Sequence, residues 1–338
     1  FKQLKDALEV ADTNEVEDTP VQIYEYKTDG SAFSNITDIP APFYPATPST
    51  VKLENKRRVA EWIDGLLQQA STNNSAVRPV KKSEKTSLVV LLSDLHFGKK
   101  TPSFNLQVAW ERAQSIPRQI FDSLTVEIDE IVVVLAGDLV EGEDIYSNQN
   151  CHVECSALQQ MQECTGAIWD MLMSFYMIFG VPVVVETCPG NHGRVSHTAN
   201  ELSNWDNVVY YTLSLLAEKA QTGITVNPNY ESFRLFQVKD KTVMIYHHGV
   251  KHASTPAMRE KIAGWVAKKH FDILLHGHWH EWHVGNWLGK LVVGNGCMCG
   301  PDDLAERMGK EEDARQAYFL ITPGQPIHSF SYVEWPEE

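Results

Sequence analysis

Five short segments of this chain place acidic, histidine and glycine residues directly behind apolar runs: Asp94-Leu95-His96, Gly137-Asp138, Gly190-Asn191-His192, His248-Gly249 and Gly277-His278-Trp279-His280. Residues i and i+2 of an extended chain point to the same side, so Asp94 with His96 can share one ion, and His278 with His280 can serve neighbouring ions. Carboxylates and neutral imidazoles are ligands for borderline divalent cations such as Mn²⁺, Fe²⁺ and Zn²⁺. The neighbouring glycines let backbone pass close to a metal or a phosphate. Taken singly, Asp-x-His after a strand is most often a turn or a cap, and Gly-Asn-His is a good left-handed turn. Five such segments in order, each behind a buried run, point to a metal centre instead.

The runs in front of them are Leu88 to Leu92, Ile131 to Leu135, Pro182 to Glu186, Val243 to Tyr246 and Ile273 to Leu275. Helix-like segments alternate with them, near Asn105 to Leu124, Ser156 to Phe179, Glu201 to Ala220 and Pro256 to Lys269. Phe233 to Val238 and Thr242 to His247 read as a strand pair, with Leu291 to Val293 and Ala317 to Ile321 as closing strands. Such alternation implies crossovers and stacked sheets. Open α/β architectures gather their chemistry at strand ends, where all five segments stand.

Residues 1–87 read differently from the rest. Five prolines between residues 10 and 50 stand among acidic and small polar residues, too poor in periodic apolar positions for a core of their own. Val51 to Ala70 has the spacing of an amphipathic helix, and a lysine-rich spacer follows it. The division expected is therefore an N-terminal arm, helix and linker over 1–87, able to serve homo-oligomerisation, and a globular domain carrying the five segments over 88–338. The composition, 43% hydrophobic and 22% charged, excludes a disordered, collagen-like or fibrous chain. The net charge of −15 advertises no chain-wide basic footprint for nucleic acid. Residues 88–338 hold 18 basic and 31 acidic residues, an excess that bound cations can partly offset. The six cysteines form no Cys-x-x-Cys pair, which suits a reduced, cytoplasmic protein. Cys297 and Cys299 share a strand face and read as small buried apolar residues. Met171 to Val185, the most apolar stretch, is too short to span a bilayer and is broken by Gly180-Val181-Pro182, so no membrane partner is expected. No apolar signal core follows Lys2, Lys5 and Asp6, so no secretion address is expected either.

The ordered set of motifs resembles the calcineurin-like metallophosphoesterases across roughly residues 88 to 300. The resemblance implies an α/β fold of four layers, an αββα sandwich of two mixed sheets, with a two-metal centre at the strand ends. Carried over by motif, Asp94, His96 and His280 match ligands of the first metal, Asn191, His248 and His278 match ligands of the second, and Asp138 matches the bridge. Mn²⁺ is the expected ion, with Fe²⁺ and Zn²⁺ as alternatives. Two cations about 3.5–4 Å apart acidify a bridging water and neutralise phosphoryl charge, so a metal-bridging hydroxide is the implied nucleophile. His192 matches the family's histidine near the leaving oxygen, a general acid. The chain departs from the commonest pattern at Gly193-Arg194, where many members carry Asp after the histidine. Arg194 is a candidate fork donor to a substrate phosphate. The His-Gly pairing favours His248 as ligand and sets His247 facing the other way, while His276 and His283 read as supporting residues.

The same centre serves several phosphoester substrates, so the motifs fix reaction type better than substrate. Ser93-Asp94-Leu95-His96-Phe97-Gly98 is most similar to SbcD-like nucleases and small phosphodiesterases, which makes a phosphodiesterase or DNA nuclease the first expectation. Lys81, Lys82, Lys85, Lys99, Lys100, Arg194, Lys251 and His252 can supply local positive charge for a polymer, and Trp279, Trp282 and Trp287 can stack bases, although ordinary packing explains each singly. The Glu141 to Cys155 insertion and the His197 to Trp205 loop are expected to shape the mouth. A small-molecule or monoester phosphatase is the alternative. A non-catalytic interaction module keeping the fold is disfavoured, because every ligand position is filled.

Overall fold

The computed structural model describes residues 86–146, 149–200, 202–247, 256–300 and 313–335. The arm and the Val51 to Ala70 helix expected above lie outside the described residues.

Three strands form where the sequence is most continuously apolar: β1 (Ser87–Leu92), β2 (Glu130–Leu135) and β3 (Val183–Thr187). They pair in parallel, β1 with β2 and β2 with β3. A strand covered on both faces needs an unbroken apolar run, and all six residues of β1 are buried. The crossovers are α1 (Leu106–Ser123) and α2 (Ala157–Phe179). Asn105 caps α1, its side-chain oxygen accepting from Val108 N at 3.0 Å. Ser156 caps α2, which Gly180 ends at φ 66°, a left-handed position that glycine enters without steric cost. Helix α3 (Trp205–Ala220) then leads to β4 (Ile224–Asn227), parallel to β3.

The chain next builds a second sheet from β5 (Arg234–Val238), β6 (Lys241–Ile245), β7 (Ile273–His276), β8 (His283–Trp287) and β9 (Lys290–Gly294), with helix α4 (Pro256–Lys268) between β6 and β7. It returns to the first sheet through β10 (Ala314–Ile321) and β11 (His328–Trp335), both antiparallel. The strand orders are β11-β10-β1-β2-β3-β4 and β5-β6-β7-β9-β8. Val89, Leu91, Val132 and Val134 of one sheet pack with Val243, Ile245, Ile273 and Leu275 of the other in a single core between the sheets. Met244, Leu274 and Val292 face the opposite way, into a cluster with Trp265 of α4. The result is two mixed sheets face to face with helices outside.

Strands β4, β8 and β11 have no counterpart in the sequence-based expectation. All three are sheet edges. An edge strand buries less than a central one, and β8 alternates half-buried with exposed residues around Gly285. No helix among the described residues is long and apolar enough to cross a membrane.

Candidate metal centre

The loops after β1 and β2 run side by side: Asp94 N donates to Gly137 O at 3.0 Å, His96 N to Asp138 O at 3.1 Å and Phe97 N to Leu139 O at 2.9 Å. Loops after β3, β6 and β7 close on them. Asp138 Oδ1 accepts from the backbone N–H groups of Asn191 and His192 at 2.6 and 2.7 Å, and Asp138 Oδ2 lies 2.9 Å from His247 Nε2. His278 N donates to both oxygens of Asp94 at 3.0 Å. His280 Nε2 stands 3.4 Å from Asp94 Oδ1 and 3.2 Å from His96 Nε2.

Backbone conformation marks the same residues. Asp94, His96, Asp138, His278 and His280 have φ between 49° and 73°, the left-handed region that non-glycine residues seldom enter. Strain of this kind persists only where surrounding structure over-determines it, and it clusters at functional sites. Two glycines make room: a Cβ on Gly190 would collide with the Asp138 carboxylate, and one on Gly277 with that of Asp94.

These donors form overlapping groups within 4.8 Å: Asp94, His96 and Asp138 in one, Asp138, His247 and His278 in another. Asp138 belongs to both, as a ligand shared by two ions must. Asn191 Oδ1 is buried with no hydrogen-bond partner, while its Nδ2 donates to Tyr146 Oη at 2.6 Å. A buried carbonyl oxygen left without a donor is costly unless something electropositive meets it. The oxygen and imidazole donors therefore fit borderline divalent cations.

The electrostatics are those of stacked opposite charges. Burial raises Asp94, but the hydrogen bond and charge of His280 and the charge of His247 outweigh it and hold the carboxyl at about 2. Burial likewise raises Asp138 and Glu141, yet facing histidines keep both well below the usual carboxylate range, chiefly His247 for Asp138 and His192 for Glu141. Burial lowers His192 and His247, but Glu141 and Asp138 lift the first to about 9, and Asp138 lifts the second to about 9. His278 is pushed down to about 4 by burial and by the charge of His247.

The structure thus brings together Asp94, His96, Asp138, Asn191, His192, His278 and His280. His248 lies outside the described residues. His247, set facing the other way by the His-Gly pairing, points into the site. Alternation explains this: Val243 and Ile245 face the core between the sheets, and His247 keeps their parity. Arg194 is exposed on the loop two residues past His192. Lys99 is 8% exposed, a buried neighbour of the histidines rather than part of an open basic track. Trp282 packs against the core between the sheets and Trp287 against the outer cluster, leaving Trp279, edge-on to His278 with ring centroids 4.8 Å apart, nearest the site. His276 and His283 face each other at 5.1 Å behind it, in keeping with a supporting role.

Sequence reasoning assigned no role to four further groups. Glu141 Oε2 lies 2.7 Å from His96 Nδ1 and 3.4 Å from His192 Nδ1. Asp206, buried in the first turn of α3, accepts from the backbone N–H groups of Asp138, Leu139 and Gly190 at 2.9–3.1 Å and ties the β2 and β3 loops together. Its pKa rises to about 6 through burial and the charge of Asp138. Asn295 and Gln316 hold the end of β1: Asn295 Nδ2 donates to Ser93 Oγ at 3.0 Å, and Gln316 Oε1 accepts from Ser93 N at 3.0 Å. The one available signal was for Asp206, an acid two residues after a capping Asn204.

The family model of calcineurin-like phosphoesterases matches residues 87–282, more than half of the chain. No curated protein sequence matches. Similar solved structures include a conserved protein of Streptococcus pneumoniae described as a predicted phosphoesterase, at 10% identity, covering 75% of this chain and 100% of that one with a TM-score of 0.34. An archaeal phosphodiesterase is 12% identical over 73% of this chain and 99% of its own, with a TM-score of 0.38. Vacuolar protein sorting 29 of Cryptosporidium parvum is 14% identical over 75% and 100%, with a TM-score of 0.35. Four of the sequence motifs at strand ends among the described residues, and a family match across them, establish that this chain belongs to the calcineurin-like phosphoesterases, metal-dependent hydrolases of phosphoesters.

Proposed function

We propose that the chain is a phosphodiesterase with DNA among its substrates, and that Asp94, His96 and His280 hold one divalent cation, Asn191, His247 and His278 the other, and Asp138 both. Mn²⁺ is the proposed ion, and Fe²⁺ and Zn²⁺ suit the same donors. Bound there, two such ions supply Lewis acidity toward phosphoryl oxygens and acidify water.

The chain's own residues do the rest. His192 Nδ1 faces the Glu141 carbonyl at 3.1 Å and its carboxylate at 3.4 Å, which leaves Nε2 to give a proton to the leaving oxygen. Glu141, which is not among the proposed ligands, favours the protonated form of that ring through its charge and its side-chain contact. Gln149 fixes the insertion loop, accepting from Ile145 N at 2.7 Å and Tyr146 N at 3.2 Å. The loop thereby sets the Tyr146 ring 4.8 Å from the His192 ring, with 45% of the tyrosine exposed.

That pairing carries the diesterase reading: an acid for the leaving oxygen stands beside an open aromatic face on which a leaving nucleoside can stack. Exposed Arg194, on the same loop as His192, can reach a flanking phosphate. The test is Mn²⁺-dependent hydrolysis of bis-p-nitrophenyl phosphate against p-nitrophenyl phosphate, alongside labelled single- and double-stranded DNA. Faster turnover of the diester with cleavage of at least one DNA substrate is expected; activity on the monoester alone overturns the proposal.

A further inference from the structure

Cys297 and Cys299 flank Met298 in the segment after β9. Both are buried, at 4% and 1% exposure, and both are free thiols. Their sulfurs lie 2.8 Å apart. Cys297 Sγ also lies 3.2 Å from the backbone carbonyl of Asp94 and within 4.8 Å of ligand nitrogens of His96 and His280. Main-chain bonds fix it there: Met298 N donates to Asp94 O at 3.0 Å, Asn295 N to His276 O at 3.0 Å and Arg315 N to Cys297 O at 3.0 Å. Cys299 N donates to Cys297 Sγ at 3.3 Å, while burial and the neighbouring Cys299 sulfur raise the Cys297 thiol well above its ordinary value, so a bound cation has to displace its proton.

We infer that Cys297 contributes a sulfur donor to the cation held by Asp94, His96 and His280. This rests on the two-cation reading above and deepens it. Coordination forms one sulfur–metal bond and releases the thiol proton to solvent, with no change of oxidation state. The opposite position, Asn191, His247, His278 and Asp138, offers only nitrogen and oxygen. The centre is therefore chemically asymmetric, with one position suited to a thiophilic ion such as Zn²⁺ or Fe²⁺ and the other to a harder one such as Mn²⁺. Cys299 acts as a positioning residue through its N–H.

Co²⁺ is the probe, added to the full chain after metal removal under reducing conditions, in a background with Cys151→Ser and Cys155→Ser to remove the two less buried thiols. Visible d–d bands together with a near-ultraviolet sulfur-to-cobalt charge-transfer band are expected. Cys297→Ser should abolish the near-ultraviolet band and keep the visible ones, and Cys299→Ser should retain both. If Cys297→Ser does not fold, a charge-transfer band kept in Cys299→Ser still supports the assignment. Visible bands without charge transfer, or a band lost in Cys299→Ser and kept in Cys297→Ser, overturn it and leave the two-cation reading standing. No cobalt bands at all overturns both.

Discussion

The carboxylate of Glu141 stands 3.4 Å from Nδ1 of His192, and so brings from the β2 loop the acid that Gly193 does not provide at the position after the histidine. The same oxygen lies 2.7 Å from His96 Nδ1, so one side chain orients a candidate ligand and the candidate acid together. Glu141→Gln keeps the shape and removes the charge. It should lower kcat on bis-p-nitrophenyl phosphate by about 10–100-fold, the usual cost of losing a residue that orients a metal ligand, with a smaller change in KM. An unchanged kcat across the pH range would show that neither histidine depends on the carboxylate.

His192→Ala should retain both metals by elemental analysis and lose about 10²–10⁴-fold in turnover, the range of a general acid. The loss should be smallest with p-nitrophenolate as leaving group, which departs without a proton, and largest with an alkoxide. Parallel loss of metal and activity would refute the acid assignment.

In the metal-stripped protein His192 and His247 each stand at about 9 against an ordinary 6.5. A histidine whose pKa rises on folding contributes stability that is fully present below the unfolded value and is lost as pH climbs through the folded one. The melting temperature of stripped protein should therefore fall between pH 6.5 and 9. Divalent cations beside the same carboxylates compete with the protons, so loading should remove that slope. Thermal melts of both forms across the window check it, and a flat profile for the stripped form would contradict the charge arrangement.

Asp206→Ala leaves three buried N–H groups, those of Asp138, Leu139 and Gly190, without an acceptor. Destabilisation of roughly 3 kcal/mol is expected in denaturant unfolding, at about 1–3 kcal/mol per orphaned donor with partial relaxation. Metal affinity should fall with it, because the loop bearing Asp138 loses its tie to α3. A stable variant with full metal content would mean that the loops hold one another without this carboxylate.

Much of the protein was legible in its sequence. Strands β1, β2, β3, β6 and β7 announce themselves because a strand buried on both faces needs a continuous apolar run, and the polar residues that break each run are those at the strand ends. Asp94, His96, Asp138, Asn191, His192, His278 and His280 could thus be picked out before any fold was known. The edge strands β4, β8 and β11 could not, since burying less of their surface leaves a weaker pattern. Nor could the pairing of Glu141 with His192, the three bonds to Asp206 or the approach of Cys297 to His96 and His280. Those contacts join residues tens to hundreds of positions apart, and local chemistry carries no record of which distant loop arrives beside it. Whether His247 faces the core depended on the register of β6 between two sheets. Residue types and order decided that metal chemistry was possible here; only the packing of two sheets against each other decided which side chains meet, because distance through space, unlike distance along the chain, is set by the whole fold.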